Sequence, residues 1–219
     1  IRRAEAAGYT ALCLTVDTPL LGRRERDQRN RFRIPDGVRF ANMDPYQIDW
    51  YASPEQDTEL ARYATAQTDP TLTWDVVETI RGVSSLPIVV KGIVSGDDAR
   101  EAVARGVDAI VVSNHGGRQL DGTIATADAL PDVVDAVGGR VEVLVDGGIR
   151  RGTDVLRALA LGARAVLVGR PYLWGLALGG EDGVHRVFDL LRAELVHAMT
   201  LSGRPRLSDI GPDLLWRGR

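Results

Sequence analysis

Ala109-Ile110-Val111-Val112-Ser113-Asn114-His115-Gly116-Gly117-Arg118 is the stretch that decides the fold. Its first four residues are apolar without a break, which a half-wet antiparallel strand would not be, so they read as a strand of a buried parallel sheet. The chain then turns polar within a single step. Outward from this point, four more runs of strand length occur at residues 11–16, 88–90, 141–145 and 165–168. Amphipathic helical patterns fill the gaps near residues 97–105, 126–137 and 153–161, closed by Gly106, Gly138 and Gly162, and a long last helix is expected near 184–201. Strand-helix alternation of this kind marks βα units around a parallel sheet, an α/β fold.

The residues just after each strand carry more information than the strands do. Parallel barrels place their active sites at the carboxyl ends of the strands. Here those ends supply Asp17 and Thr18, then Lys91, then Ser113, Asn114 and His115, then Asp146-Gly147-Gly148, then Gly169-Arg170. A single polar residue after a strand is ordinary turn chemistry; a carboxylate, an amine, an imidazole and glycine turns on five successive ends point to a shared site. Lys91 is also the only lysine among 27 basic residues, so a compact ammonium rather than a planar guanidinium is wanted there. The plainer alternative is a lysine in a buried ion pair.

Asp146-Gly147-Gly148-Ile149-Arg150-Arg151-Gly152 and Gly169-Arg170 each leave a strand and enter a helical pattern. Glycine lets backbone N–H groups approach an anion closely, and barrels often hold a phosphate between the loops of their last two strands. Two such turns, each with an arginine, suggest a phosphate group. The sequence has neither a Gly-x-Gly-x-x-Gly dinucleotide fingerprint nor a Walker-type loop, which disfavours NAD and ATP. The three histidines are scattered without a Cys or Glu cluster, so no metal site is expected.

Composition excludes other classes. A chain of 219 residues with 44% hydrophobic residues is long enough for one domain with a sizeable core. A formal net charge of -3 argues against nucleic-acid binding despite the arginines between 23 and 33. No apolar stretch reaches the roughly 20 residues that a membrane helix requires, and no charged-then-apolar leader opens the chain. The single cysteine, Cys13, read as a buried strand thiol, has no partner for an internal disulfide, which points to a cytoplasmic setting. The chain opens inside a helical pattern, residues 1–7 closed by Gly8, which reads as the interior of a longer sequence.

The motifs together resemble the FMN-dependent 2-hydroxy-acid dehydrogenase and oxidase family, which includes glycolate oxidase, lactate oxidases and mandelate dehydrogenase. They are Leu14-Thr15-Val16-Asp17-Thr18-Pro19 with Leu21-Gly22-Arg23-Arg24-Glu25, Leu86 to Gly92, Ser113 to Asp121, and Asp146 to Thr153 with Gly169-Arg170-Pro171. The resemblance implies a (β/α)8 TIM barrel of which strands four to eight are present, so residues 1–219 form a partial barrel domain. It implies FMN as cofactor, a small-molecule 2-hydroxy acid as substrate, and a homo-oligomer for the full-length parent. His115 would be the base and Asp17 its hydrogen-bonding partner; an imidazole suits the task because it gains and loses a proton near neutral pH. Arg24 and Arg118 would clamp the substrate carboxylate, where a guanidinium fork gives two parallel hydrogen bonds. Lys91, Thr15 and Ser113 would meet the flavin edge, and Asp146, Gly147, Gly148, Ile149, Arg150, Gly169 and Arg170 would cradle its ribityl phosphate. His185 and His197 are expected to be surface or packing residues. The long, proline-rich connection over residues 31–73 is expected to act as a lid. A different flavin barrel, of the inosine-monophosphate-dehydrogenase kind, would need a loop cysteine, and Cys13 sits in a strand. A non-catalytic remnant that binds no flavin is the alternative from another class.

Overall fold

The computed structural model describes residues 1–33, 35, 37 and 68–216. The body of the expected lid therefore lies outside the described residues, with Tyr46, Trp50 and Tyr51. Five parallel strands pair in chain order: β1 (Leu12–Thr15), β2 (Ile88–Ile93), β3 (Ala109–Val112), β4 (Glu142–Val145) and β5 (Ala165–Val166). In register, Thr15, Lys91, Val111, Leu144 and Ala165 form one row across the sheet. The helices are α1 (Arg2–Ala6), α2 (Glu25–Arg29), α3 (Asp75–Arg81), α4 (Gly96–Ala104), α5 (Thr126–Val137), α6 (Gly152–Ala160) and α7 (Arg170–Leu201). Two single 3-10 turns, Leu207–Asp209 and Pro212–Leu214, come after them.

Because side chains alternate along a strand, the sheet has two distinct faces. Ile88, Val90, Ile110, Val112, Val143 and Val145 point to the helices and join Val77, Leu130, Val133 and Val137 in the core. The opposite face carries Cys13, Thr15, Lys91, Leu144 and Ala165, and among these Cys13 and Ala165 are exposed. Cys13 is thus not the buried thiol expected from the apolar run around it: its side chain takes the alternate, uncovered face. The sheet is open, and no further strand among the described residues pairs with the outer edges of β1 and β5.

The structure corrects several expected boundaries. The last helix starts at Arg170, because Pro171 in the first turn needs no N–H partner there. It is broken at Gly179 and Gly180, so the stretch read near 184–201 is its second segment. The short helices α2 and α3 were not anticipated, and β5 keeps only two ladder residues of the four expected. β2 carries a bulge, since Lys91 pairs with Val111 but Ile93 with Val112, leaving Gly92 as the extra residue.

Candidate active site

The bulge shapes the site. Gly92 has φ +117, and a Cβ there would lie 2.7 Å from Asp17 Cβ and 2.8 Å from Asp17 N. Only a glycine leaves room for the Asp17 backbone to come so close to β2. From that position Asp17 reaches the loop after β3, where His115 Nδ1 and Asp17 Oδ1 are 3.0 Å apart. His115 itself has φ +57, an uncommon conformation for a residue with a Cβ, which the surroundings must enforce. They do so through Ser113 Oγ, which accepts from the His115 N–H at 3.1 Å, and through Asn114, whose Oδ1 accepts from Gly117 N at 3.1 Å and whose Nδ2 donates to Ile124 O at 3.1 Å. The His115 side chain is 33% exposed against 13% for Asp17. With Nδ1 occupied by the carboxylate, Nε2 is the ring nitrogen left to act on something in the cleft.

Lys91 projects from β2 on the uncovered face. Its Nζ donates to Ser113 Oγ at 2.9 Å and lies 3.2 Å from Asp146 Oδ2. Thr126 Oγ1 donates to the Asp146 carbonyl at 2.6 Å and so fixes the end of β4. Asp146 Oδ1 and Asp17 Oδ2 are both buried without a hydrogen-bond partner among the described residues. Such acceptors are costly to leave unpaired, and each calls for a donor from water or a bound molecule.

A cleft of about 520 Å³ opens over these groups, within the range of small-molecule sites. Lys91, His115, Arg118, Asp146, Gly147, Gly148, Ile149, Arg150, Gly169 and Arg170 all line it, joined by Leu167, Pro171 and Leu173. Gly147 and Gly148 both have positive φ, and a Cβ on Gly148 or on Gly169 would meet nothing within 4 Å. The start of α6 is closed to an anion, because Asp154 Oδ2 accepts from Arg150 N and Arg151 N at 3.0 Å and Glu194 Oε2 accepts from Gly152 N at 2.9 Å. The cleft is bordered instead by the Gly147-Gly148 turn and by the start of α7, which has no side-chain cap, with Arg150 and Arg170 beside them. Arg170 Nη2 also donates to Gly116 O at 3.0 Å and ties the start of α7 to the His115 loop.

Arg24, Thr15, Asp17 and Ser113 are not among the residues that line this cleft. Ser113 is fully buried, and Thr15 lies beside Lys91 in register. Arg24 donates through Nη1 to the Arg118 carbonyl and through Nη2 to Gln119 Oε1 at 3.3 Å. Burial, and then the neighbouring Arg118, push the Arg24 guanidinium below its ordinary value, with Asp27 opposing. Two adjacent cations, one partly desolvated, favour an anion between or beside them. His185 and His197 lie exposed on α7, away from the cleft. No group of three or more candidate metal ligands occurs among the described residues.

Sequence reasoning missed three contributors. Gly92 and Thr126 act through contacts that only the folded sheet creates, and Gln119 bridges two loops that are far apart in the chain.

Ionisable side chains converging on the carboxyl ends of parallel strands, beside two glycine-arginine turns, are the arrangement that βα barrels carry at their active-site end. The match to the FMN-dependent dehydrogenase family model runs over residues 1–217, and the chain belongs to that family. It is 55% identical over 215 residues to an L-lactate oxidase of Nostoc sp., covering 98% of this chain and 59% of that protein. It is 53% identical to human 2-hydroxyacid oxidase 1, covering 93% of this chain and 55% of that one. A crystal structure of mandelate oxidase with (S)-2-phenylpropionate superposes with a TM-score of 0.81 at 48% identity, over 94% of this chain and 55% of the other. The chain thus spans somewhat more than half the length of the relatives it matches, and its fold is a partial TIM barrel.

Proposed function

We propose that these residues form the catalytic side of an FMN-dependent enzyme that oxidises a small 2-hydroxy acid to the 2-oxo acid, with His115 as the base. The observation that carries this reading is the His115–Asp17 pair at 3.0 Å beside the Arg24–Arg118 cluster, because such an oxidation needs a base for the substrate's proton and cations for its carboxylate. Arg118, which lines the cleft, binds the carboxylate; Arg24 supports it from behind and adds charge. His115 takes the proton at Nε2, and Asp17 holds the ring and favours the imidazolium that forms.

The residues present fit FMN. The unpartnered Asp146 Oδ1 is suited to a ribityl hydroxyl, and the turns with Gly147, Gly148, Ile149, Arg150, Gly169 and Arg170 are suited to its phosphate. Thr15, Lys91 and Ser113 would border the ring system. Bound there, FMN supplies the acceptor for two electrons, and the Lys91 ammonium offsets negative charge on its edge. Relatives named L-lactate oxidase, 2-hydroxyacid oxidase and glycolate oxidase support the substrate class. A homo-oligomer for the whole protein belongs to the same reading. A cytoplasmic location rests on the unpaired Cys13 thiol.

The test is anaerobic: yellow, FMN-loaded protein is mixed with lactate, glycolate or mandelate, and bleaching is followed at the flavin band. Loss of colour with one of these supports the reaction; retention with all of them speaks against it. The second reading is a non-catalytic remnant that binds no flavin. Failure of this chain to take up FMN from solution is the outcome that reading requires.

A further inference from the structure

We infer that Gln119 is the positioning residue that holds the proton-accepting and carboxylate-binding parts of this site in register, an inference that rests on the reaction proposed above. Its carboxamide Nε2 donates to the Asp17 carbonyl at 3.0 Å and to the Leu20 carbonyl at 2.8 Å. Its Oε1 accepts from Gly22 N at 3.1 Å and from Arg24 Nη2 at 3.3 Å. A carboxamide has two N–H groups and one oxygen with two lone pairs, so every hydrogen-bonding position of Gln119 is spent on the loop after β1. The two loops also press together through their backbones. A Cβ on Gly22 would lie 2.3 Å from the Arg118 carbonyl oxygen and 2.6 Å from Gln119 Cα.

The consequences differ at the two ends of the amide. The donor end fixes the backbone of Asp17, whose carboxylate orients His115; the acceptor end fixes Arg24, which also donates to the Arg118 carbonyl. Gln119 itself is absent from the cleft wall and acts through these neighbours. Two substitutions of similar size separate the ends. Gln119→Met removes all four hydrogen bonds. Gln119→Glu keeps an acceptor for Gly22 N and Arg24 but sets a carboxylate oxygen against the carbonyl oxygens of Asp17 and Leu20.

The experiment uses the FMN-loaded protein, supplied with the remaining barrel strands where this chain alone does not hold the flavin. Three quantities are measured: FMN affinity, affinity for propionate as a carboxylate lacking the hydroxyl, and the rate of flavin reduction at saturating 2-hydroxy acid. Gln119→Glu keeps the acceptor contacts to Gly22 N and Arg24, so even with the negative charge it adds beside Arg24 propionate should weaken less than in Gln119→Met, by about threefold, while the saturating reduction rate falls about 10- to 100-fold, the scale of a misplaced catalytic group. Gln119→Met should weaken propionate about tenfold and slow reduction as well. FMN affinity should stay unchanged in both. Equal losses of propionate affinity and reduction rate in both variants, accompanied by a fall in melting temperature, would reduce Gln119 to a packing residue. No change in either quantity would overturn the inference outright. If the unsubstituted protein is not reduced by any 2-hydroxy acid, the proposed reaction fails, and the difference in propionate affinity between the two variants still decides for or against the hold on Arg24.

Discussion

Gly92→Ala tests how the sheet sets the position of Asp17. The added methyl group would sit 2.7, 2.8 and 2.9 Å from Asp17 Cβ, N and Cγ, and φ at residue 92 is +117. None of those neighbours is the free end of a flexible side chain, so either β2 or the Asp17 turn must move. The disfavoured backbone conformation costs about 1–3 kcal/mol for a residue with a Cβ, and overpacking against fixed atoms adds about 1–3 kcal/mol. At roughly the middle of the summed range, about 4 kcal/mol, a domain of this size loses about 8–16 °C in Tm. The same movement breaks the 3.0 Å contact between Asp17 and His115, so flavin reduction should slow about 100-fold or more, beyond what stability explains at temperatures where the variant stays folded. Thermal denaturation and anaerobic stopped-flow reduction, run on the same FMN-loaded protein, measure both. A Tm within about 2 °C of the parent, less than 1 kcal/mol for this size, together with an unchanged reduction rate, would refute the close approach and the role drawn from it.

Other consequences can be checked alongside. Gly22→Ala would place a methyl group 2.3 Å from the Arg118 carbonyl oxygen; it should destabilise by about 1–3 kcal/mol and raise the KM for the 2-hydroxy acid more than it lowers kcat, as steady-state kinetics would show. At Asp108, burial raises the carboxyl but is outweighed by the Ile88 N–H, which donates at 2.7 Å, and by Arg81, so its pKa is depressed. A depressed carboxyl contributes stability above its unfolded pKa and loses that contribution as pH falls through the folded one. Asp108→Ala should therefore cost about 1 kcal/mol at neutral pH, and the difference from the parent should shrink in acid, as denaturant melts at several pH values would report. Glu194→Ala removes the acceptor for Gly152 N where α6 meets α7 and should cost about 1 kcal/mol without altering the reduction rate.

The strands were legible because their helix-facing residues, such as Ile110 and Val112, and their opposite-facing ones, such as Val111, are alike apolar. That same uniformity hid which face each residue takes, and Cys13 was misplaced for this reason. Gly169-Arg170 reads as a phosphate turn that enters a helical pattern, yet the long last helix is expected only near 184–201, although Pro171 just inside the turn is a helix-start signal. α3 was hidden by its length and by Trp74, an N-cap residue with no side-chain cap bond. At the site, His115, Asp17, Lys91 and Asp146 were legible from strand-end position alone, since a parallel sheet brings those ends together whatever the loops do. Gln119 and Gly92 were not, because their roles consist of contacts between segments distant in the chain. A glutamine and a glycine carry no local signal of such contacts.

The proposed role of His115 as the base is tested most directly by one comparison: anaerobic flavin reduction by a 2-hydroxy acid in FMN-loaded protein with and without His115→Asn. Retained flavin and a reduction rate lower by about two to four powers of ten are the expected result. Reduction at the parent rate in the asparagine variant would contradict that role.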